Sequence, residues 1–300
     1  MIGPTTYGVS FSLKQCRAFN IDPSDTLAWL LKQGWRRFRL MSYWDEHEKQ
    51  PGTYDFGALD AQIRQIHAAG GVVTLCLGAR QPRWPENHWP DWAWKTSKAK
   101  RTTALLQYLQ TVVERYKSEP CIISYQLENE ALLQSFGRRA EIDRKRLRAE
   151  FALVKRLDPK RPIIMSTSNS WGIPLRRPLP DIVGFSYYHT VWNRKLSRYT
   201  TAGHHTLIHR TRATLIRVLL QRRSFIHELQ CEPWGPKAIW EMSTTEQDKS
   251  MSIAQIHTSL AAAQSLGIYP VDLWGAEWWY WRSKHGDSTI SMAVLDSIRP

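Results

Sequence analysis

The stretch Cys121–Ala131, CIISYQLENEA, decides the reading of this chain. It follows a turn signal at Ser118–Pro120, opens on an apolar β-branched run and closes on carboxylates and an amide. That is the pattern of a buried strand whose C-terminal end carries polar chemistry. A second stretch answers it: Ser224–Gly235, SFIHELQCEPWG, is another short apolar strand, ending in Glu228.

Working outward, six more runs read as strands: Thr6–Phe11, Trp35–Met41, Val72–Leu77, Pro162–Thr167, Asp181–Ser186 and Tyr269–Trp274. Val72–Leu77 is wholly apolar, as a parallel strand covered on both faces should be. Helical spacing lies between most of them. Asp22-Pro23 starts a helix with Leu27, Leu30 and Leu31 on one face, and Gly34 stops it. Asp55 is expected to cap a helix bearing Leu59, Ile63 and Ile66. Thr102–Tyr116, Glu141–Leu157, Thr206–Gln221 and Gln247–Leu266 are expected to be helical, and Gly78–Lys98 a long loop rich in Trp and Pro.

Eight strands alternating with helices, with no repeat or linker, imply one α/β domain over residues 1–300, a single (β/α)8 TIM barrel. The connection Trp171–Pro180 is too short and Pro-rich for a helix. A doubly wound open sheet is the alternative, but no glycine-rich phosphate loop follows any strand.

Composition narrows the function classes. Of 300 residues 42% are hydrophobic, ample for a large core. Fifteen Trp exceed what a core needs, and aromatic faces stack on sugar rings or bases. The net charge of +14 raises nucleic acid or an acidic polymer or cell envelope as partners. The basic residues concentrate in Arg138–Arg161 and His209–Arg223, at helical spacing with apolar residues, and so read as solvated helix faces. No nucleic-acid partner is therefore expected. Cys16, Cys76, Cys121 and Cys231 are widely spaced and include no CxxC pair, so neither metal, cofactor nor disulfide is expected. The start, MIGPTTYGVSFS, shows no leader pattern, and no run approaches a membrane span. The protein is expected either to stay inside the cell or to have lost a signal.

In such a barrel the active site lies at the C-terminal strand ends. These carry Arg39, the Glu128-Asn129-Glu130 set, Tyr187, Tyr188, His189, Glu228, Glu232, Trp274 and Glu277. The reactive groups among them are carboxylates. Glycoside hydrolysis is the common reaction that uses two, one neutral to protonate the leaving oxygen and one ionised.

Here the chain resembles the clan A glycoside hydrolases, the barrel superfamily of the family 5 cellulases and mannanases. Asn129-Glu130 resembles the Asn-Glu pair ending that clan's fourth strand, and Glu228 in HELQ the Glu ending its seventh. The resemblance implies a retaining β-glycosidase acting on an oligo- or polysaccharide, with Glu130 as acid/base and Glu228 as nucleophile. It further implies that Arg39 pairs with Glu228, that Tyr187 or Tyr188 donates to the nucleophile, and that Trp274 lies beneath the sugar. Two positions depart from family 5: Ala131 replaces the Pro after Asn-Glu, and no His precedes the strand 6 Tyr.

Each residue also has a plainer reading. Glu128, two positions from Glu130, reads as a structural partner of an Arg. Glu232 reads as a loop carboxylate or part of a sugar subsite, and Glu277 binds a sugar hydroxyl or satisfies its loop. His189, His227 and His285 read as hydrogen-bonding or core residues. Trp84, Trp89, Trp92 and Trp94 either line a cleft or pack the loop. For the whole chain the rivals are a non-catalytic carbohydrate-binding barrel and a nucleic-acid-binding protein.

Overall fold

The computed structural model describes residues 6–133, 137, 141–169, 172–202 and 206–298. Met1–Thr5, the start of the basic run at 138–140 and Trp171 all entered the sequence reading and lie outside the described residues.

Eight parallel strands close into a barrel: β1 (Tyr7–Phe11), β2 (Arg37–Met41), β3 (Val72–Leu77), β4 (Ile122–Leu127), β5 (Ile163–Thr167), β6 (Ile182–Tyr187), β7 (Arg223–Gln230) and β8 (Val271–Trp274). Strands adjacent in sequence are adjacent in space, and β8 returns to β1. The fold is the expected (β/α)8 TIM barrel. Several helices combine an apolar stripe with a side-chain cap. Asp22 accepts from the Asp25 amide at 2.9 Å ahead of Pro23–Lys32. Ser252 and Gln255 form a reciprocal capping box, and Gly267 ends that helix in the left-handed region at φ 65°.

Several boundaries differ from expectation. Glu141–Leu157 begins helically only at Arg144, because Asp143 caps it while Glu141 and Asp143 pair with Lys98. Gln247–Leu266 is two helices, Thr244–Asp248 and Ile253–Leu266, since Ser252 starts a new one. Asp55 bonds the Gly57 amide but does not occupy the cap position of Gly57–Ala68, which is Phe56. Residues 172–180 hold no helix, as the Pro-rich connection implies. A β-hairpin, Thr190–Asn193 against Arg198–Thr201, and the helices Ala276–Lys284 and Thr289–Ile298 were not foreseen.

The barrel interior is unusually polar. Register aligns Ser10, Arg39, Thr74 and Ser124 in one layer across β1–β4. A connected column runs from Arg37 to Asp272 (2.8 Å), His227 (2.7 Å), Gln126 (2.8 Å) and Arg39 (2.6 Å), all buried. Charges this deep persist because each is paired. Burial alone would raise the Asp272 carboxyl, but Arg37 and His227 hold it down to about 2. Gly8 makes the room: a Cβ there would meet Asp272 Oδ1 at 2.4 Å and Arg37 Cγ at 2.7 Å.

Candidate active site

The polar column surfaces at the C-terminal strand ends, where it meets two glutamates. Arg39, on β2, is fully buried and makes five contacts that fix its guanidinium, the longest to Ser10 Oγ at 3.5 Å. Nη1 lies 2.7 Å from Glu228 Oε1 and 3.3 Å from the His227 carbonyl, Nη2 donates to Asn129 Oδ1 at 3.0 Å, and Nε donates to Gln126 Oε1 at 2.6 Å. Burial would discharge the guanidinium; the Glu228 carboxylate keeps it charged.

Glu228 reaches this point through a break in strand alternation. Pairing of β6 with β7 passes from Phe185↔Ile226 to Ser186↔Glu228, leaving His227 as an extra residue on β7. Such a bulge lets two successive side chains serve the interior. His227 bonds Gln126 and Asp272 below, while Glu228 stands above with Arg39. Three donors converge on its carboxylate: Arg39 on Oε1, Tyr188 Oη on Oε2 at 3.1 Å, and Ser186 Oγ at 3.3 Å from the same oxygen.

Glu130 arrives by a different irregularity. Glu128 and Glu130 both adopt left-handed backbone, at φ 50° and 44°. These uncommon conformations turn two carboxylates, two residues apart, to different places. Glu128 turns back, accepting from the Ala79 and Arg80 amides at 3.0 and 2.7 Å with Arg146 at 3.6 Å, so it is the structural ion-pair partner. Glu130 turns into the pocket, its amide held by Ser166 Oγ at 2.9 Å and its Oε1 3.2 Å from Ser186 Oγ. Burial first, and then the charge of Glu228, push the Glu130 carboxyl up to about 7.

Ser186 thus stands between the two glutamates. Distances of 3.2 and 3.3 Å to their nearest oxygens bound the oxygen–oxygen separation at about 6.5 Å. A hydroxyl carries one proton and cannot donate to two carboxylates together. Both contacts are satisfied when Glu130 is protonated and donates to Ser186, which in turn donates to Glu228.

Asn129 is equally constrained. Its Oδ1 accepts from Arg39, from Gln126 at 3.1 Å and from Ser166 at 3.0 Å, and its Nδ2 donates to Glu86 Oε2 at 2.9 Å. Burial foremost, then Glu228 and Glu130 against the hydrogen bond from Asn129, push the Glu86 carboxyl up to about 8. Among the described residues Asn129 Nδ2 donates to Glu86 alone, which leaves one N–H direction open.

The remaining expected residues divide. Of the two tyrosines, Tyr188 reaches Glu228, its backbone locked by Asn169 (2.9 and 3.3 Å); burial and the Glu228 charge hold its phenol protonated as a donor. Tyr187 packs edge-on against His209. Trp274 lies at the pocket wall, mostly buried, but the Arg83 guanidinium sits 3.9 Å from its ring centroid and covers that face. Glu277 is fully buried with both oxygens taken, Oε1 by the Ser12 amide at 2.5 Å and Oε2 by Arg83 Nη2 at 2.6 Å. It supports Arg83 and the Ser12 backbone. Glu232 forms a close ion pair with Arg83. His227 is a core residue, and His285 bonds the Trp281 carbonyl on the surface. Trp89 is buried and Trp92 and Trp94 pack on the core, so the Trp-rich loop is chiefly packed; Trp84 stays 60% exposed.

Ser186, Gln126, Ser166, Glu86 and Arg83 were missed. The signal for the first three was present, as polar residues on or at the end of apolar strands; for the two loop residues there was none. Among the described residues, His67, Glu119 and Cys121 offer ligand atoms within 4.8 Å of one another and could hold a metal ion. They lie by the N-terminal ends of β3 and β4, at the opposite end from the glutamates. No helix is long and apolar enough to cross a membrane, among the described residues.

Residues 32–160, the span holding Arg39, Asn129 and Glu130, match a family model described as beta-galactosidase. Three solved structures share the fold. A beta-galactosidase from the Antarctic haloarchaeon Halorubrum lacusprofundi aligns at TM-score 0.60 and 14% identity, over 89% of this chain and 52% of its own. The exo-beta-1,4-mannosidase Op5Man5 from Opitutaceae bacterium strain TAV5 aligns at 0.59 and 16%, over 89% and 51%. Xylanase 10B from Thermotoga maritima aligns at 0.62 and 13%, over 89% and 82%. The chain thus spans about half the length of the first two. The chain is thus similar to a beta-galactosidase family over residues 32–160 and shares its closed eight-strand barrel with glycoside hydrolases of known structure.

Proposed function

We propose that the chain is a retaining β-glycosidase working by double displacement without a cofactor. Glu228 attacks the anomeric carbon while Glu130 passes its proton to the leaving glycosidic oxygen, breaking that C–O bond. Consuming the Glu228 charge removes one of the two influences that hold the Glu130 proton, so Glu130 becomes the base that draws a proton from water as water releases the sugar. The observation that carries this reading is the Ser186 hydroxyl touching both carboxylates. Its ceiling of about 6.5 Å sits with the close spacing of retaining enzymes, and leaves little room for the intervening water of inverting ones. Arg39 and Tyr188 hold the nucleophile, and the second Asn129 N–H donates to a sugar 2-hydroxyl. The substrate is an oligo- or polysaccharide, with β-galactosides, β-mannosides and β-xylosides the first to try, given the relatives.

The test is sugar release from aryl β-glycosides and from galactans, mannans, xylans and β-glucans, for wild type, Glu130→Ala and Glu228→Ala. Both variants should lose most activity, and NMR should show the product born with the substrate's anomeric configuration. An active wild type that tolerates either substitution, or a product born inverted, sinks the assignment.

A further inference from the structure

The positive charge of the chain is concentrated on one flank of the barrel. Residues 144–223 hold eighteen Lys and Arg against three Asp and Glu, so this stretch carries +15 and the rest of the chain −1. Its three acids are already paired, Glu150 with Arg146, Asp158 with Arg161 and Asp181 with Lys155. The neighbouring helix Ile253–Leu266 packs against Thr206–Leu220 and brings no acidic residue. Arg156, Arg176, Arg177 and Arg217 are exposed and form no ion pair among the described residues.

The same flank exposes aliphatic side chains. Leu207, Val218, Leu175 and Leu219 are 77, 66, 65 and 59% exposed, four of the five most exposed large apolar side chains among the described residues. On the helix Thr206–Leu220, the exposed residues Leu207, Thr211, Thr214 and Val218 recur at helical spacing as one outward stripe, with Arg210 and Arg217 along its edge. The pieces form one surface, because the loop carrying Leu175, Arg176 and Arg177 is bonded on both sides. Arg212 on that helix and Arg222 just beyond it donate to the Gly172 and Pro180 carbonyls at 2.8 and 2.9 Å. Arg148, on the helix Arg144–Leu157, donates to the Arg177 carbonyl at 3.3 Å.

We infer that this flank docks on an anionic lipid surface, its arginines against lipid phosphates and its aliphatic side chains in the boundary between headgroups and acyl chains. Unneutralised arginines call for an anionic partner. A nucleic acid or other soluble polyanion would satisfy them but leave Leu175, Leu207, Val218 and Leu219 in water. An anionic bilayer takes up both kinds of group at once, the phosphates at its surface and apolar side chains just beneath. The glutamates sit at the C-terminal end of the barrel and these helices ring its side, so docking leaves the pocket open. The inference does not depend on the reaction performed there.

The experiment is co-sedimentation of the full chain with phosphatidylcholine vesicles, with and without phosphatidylglycerol, for wild type, Leu207→Ser/Val218→Ser and Arg176→Gln/Arg177→Gln. All four positions are exposed, so the substitutions spare the core. Wild type should bind the anionic vesicles and leave the neutral ones. Each lost arginine should weaken binding about fivefold, the worth of one basic residue at an anionic surface. The apolar pair should weaken it about tenfold or more. Wild type that stays in solution with anionic vesicles at low salt overturns the inference, and so does an apolar variant that binds them as wild type does. Duplex DNA bound as tightly as the vesicles would make the flank a polyanion site instead. A dimer that the apolar variant splits, without vesicle binding, would assign the flank to a second copy of the chain and equally overturn it.

Discussion

Replacing Glu130 by Gln should stabilise the protein while disabling it. The fold moves this carboxyl from 4.5 to about 7, by burial and by the neighbouring Glu228 charge. Below pH 4.5 the group is neutral in both folded and unfolded chains, and contributes no difference between Glu and Gln. Between 4.5 and 7 the unfolded chain has released the proton and the folded chain still holds it, so stability falls as pH rises. Above 7 the folded chain carries a buried anion beside another anion. At about 1.4 kcal/mol per pKa unit the shift corresponds to a ceiling of about 3 kcal/mol. Glu130 keeps some solvent contact, so about 2 kcal/mol is the expected gain. Urea unfolding of wild type and Glu130→Gln at pH 4 and pH 8 measures it. The variant should match wild type at pH 4 and exceed it by about 2 kcal/mol at pH 8, with kcat/KM reduced about 10²- to 10⁴-fold. A stability gap that is the same at both pH values would refute the account of Glu130 as a group held protonated by its surroundings.

Three further outcomes test the site and its frame. Tyr188→Phe removes a donor to Glu228 and should lower kcat about tenfold or more, whereas Tyr187→Phe, packed on His209, should change it less than about threefold; the reverse order would exchange the two tyrosines. Arg39→Met leaves Glu228 buried without its cation and should cost about 3–5 kcal/mol in denaturant unfolding, while Arg39→Lys keeps the charge and loses chiefly activity, about 10²-fold, with the contacts to Gln126 and Asn129. Equal stability of these two variants would contradict the pairing. All four cysteines are buried and free, and burial pushes their thiols up, Cys76 to about 11; a disulfide-exchange reagent should leave them unmodified until guanidinium is added, and a reductant should leave Tm unchanged.

Sequence alone determined the eight-strand count, most strand positions to within two residues, and the two glutamates and the arginine at their ends. Those follow from local periodicity: an apolar run followed by a polar residue is visible wherever the barrel buries one and exposes the other. Tertiary structure alone decided which neighbours serve the pocket. Glu128 and Glu130 are separated by two left-handed residues, not by alternation. Tyr188 rather than Tyr187 reaches Glu228, beside a β6–β7 bulge that exists only when those strands pair. Ser186 between the glutamates, and Arg83 against Glu232, Glu277 and Trp274, join elements up to 194 residues apart. No window of sequence holds those partners together; closing the barrel does, and burying charged groups inside it requires them to find one another.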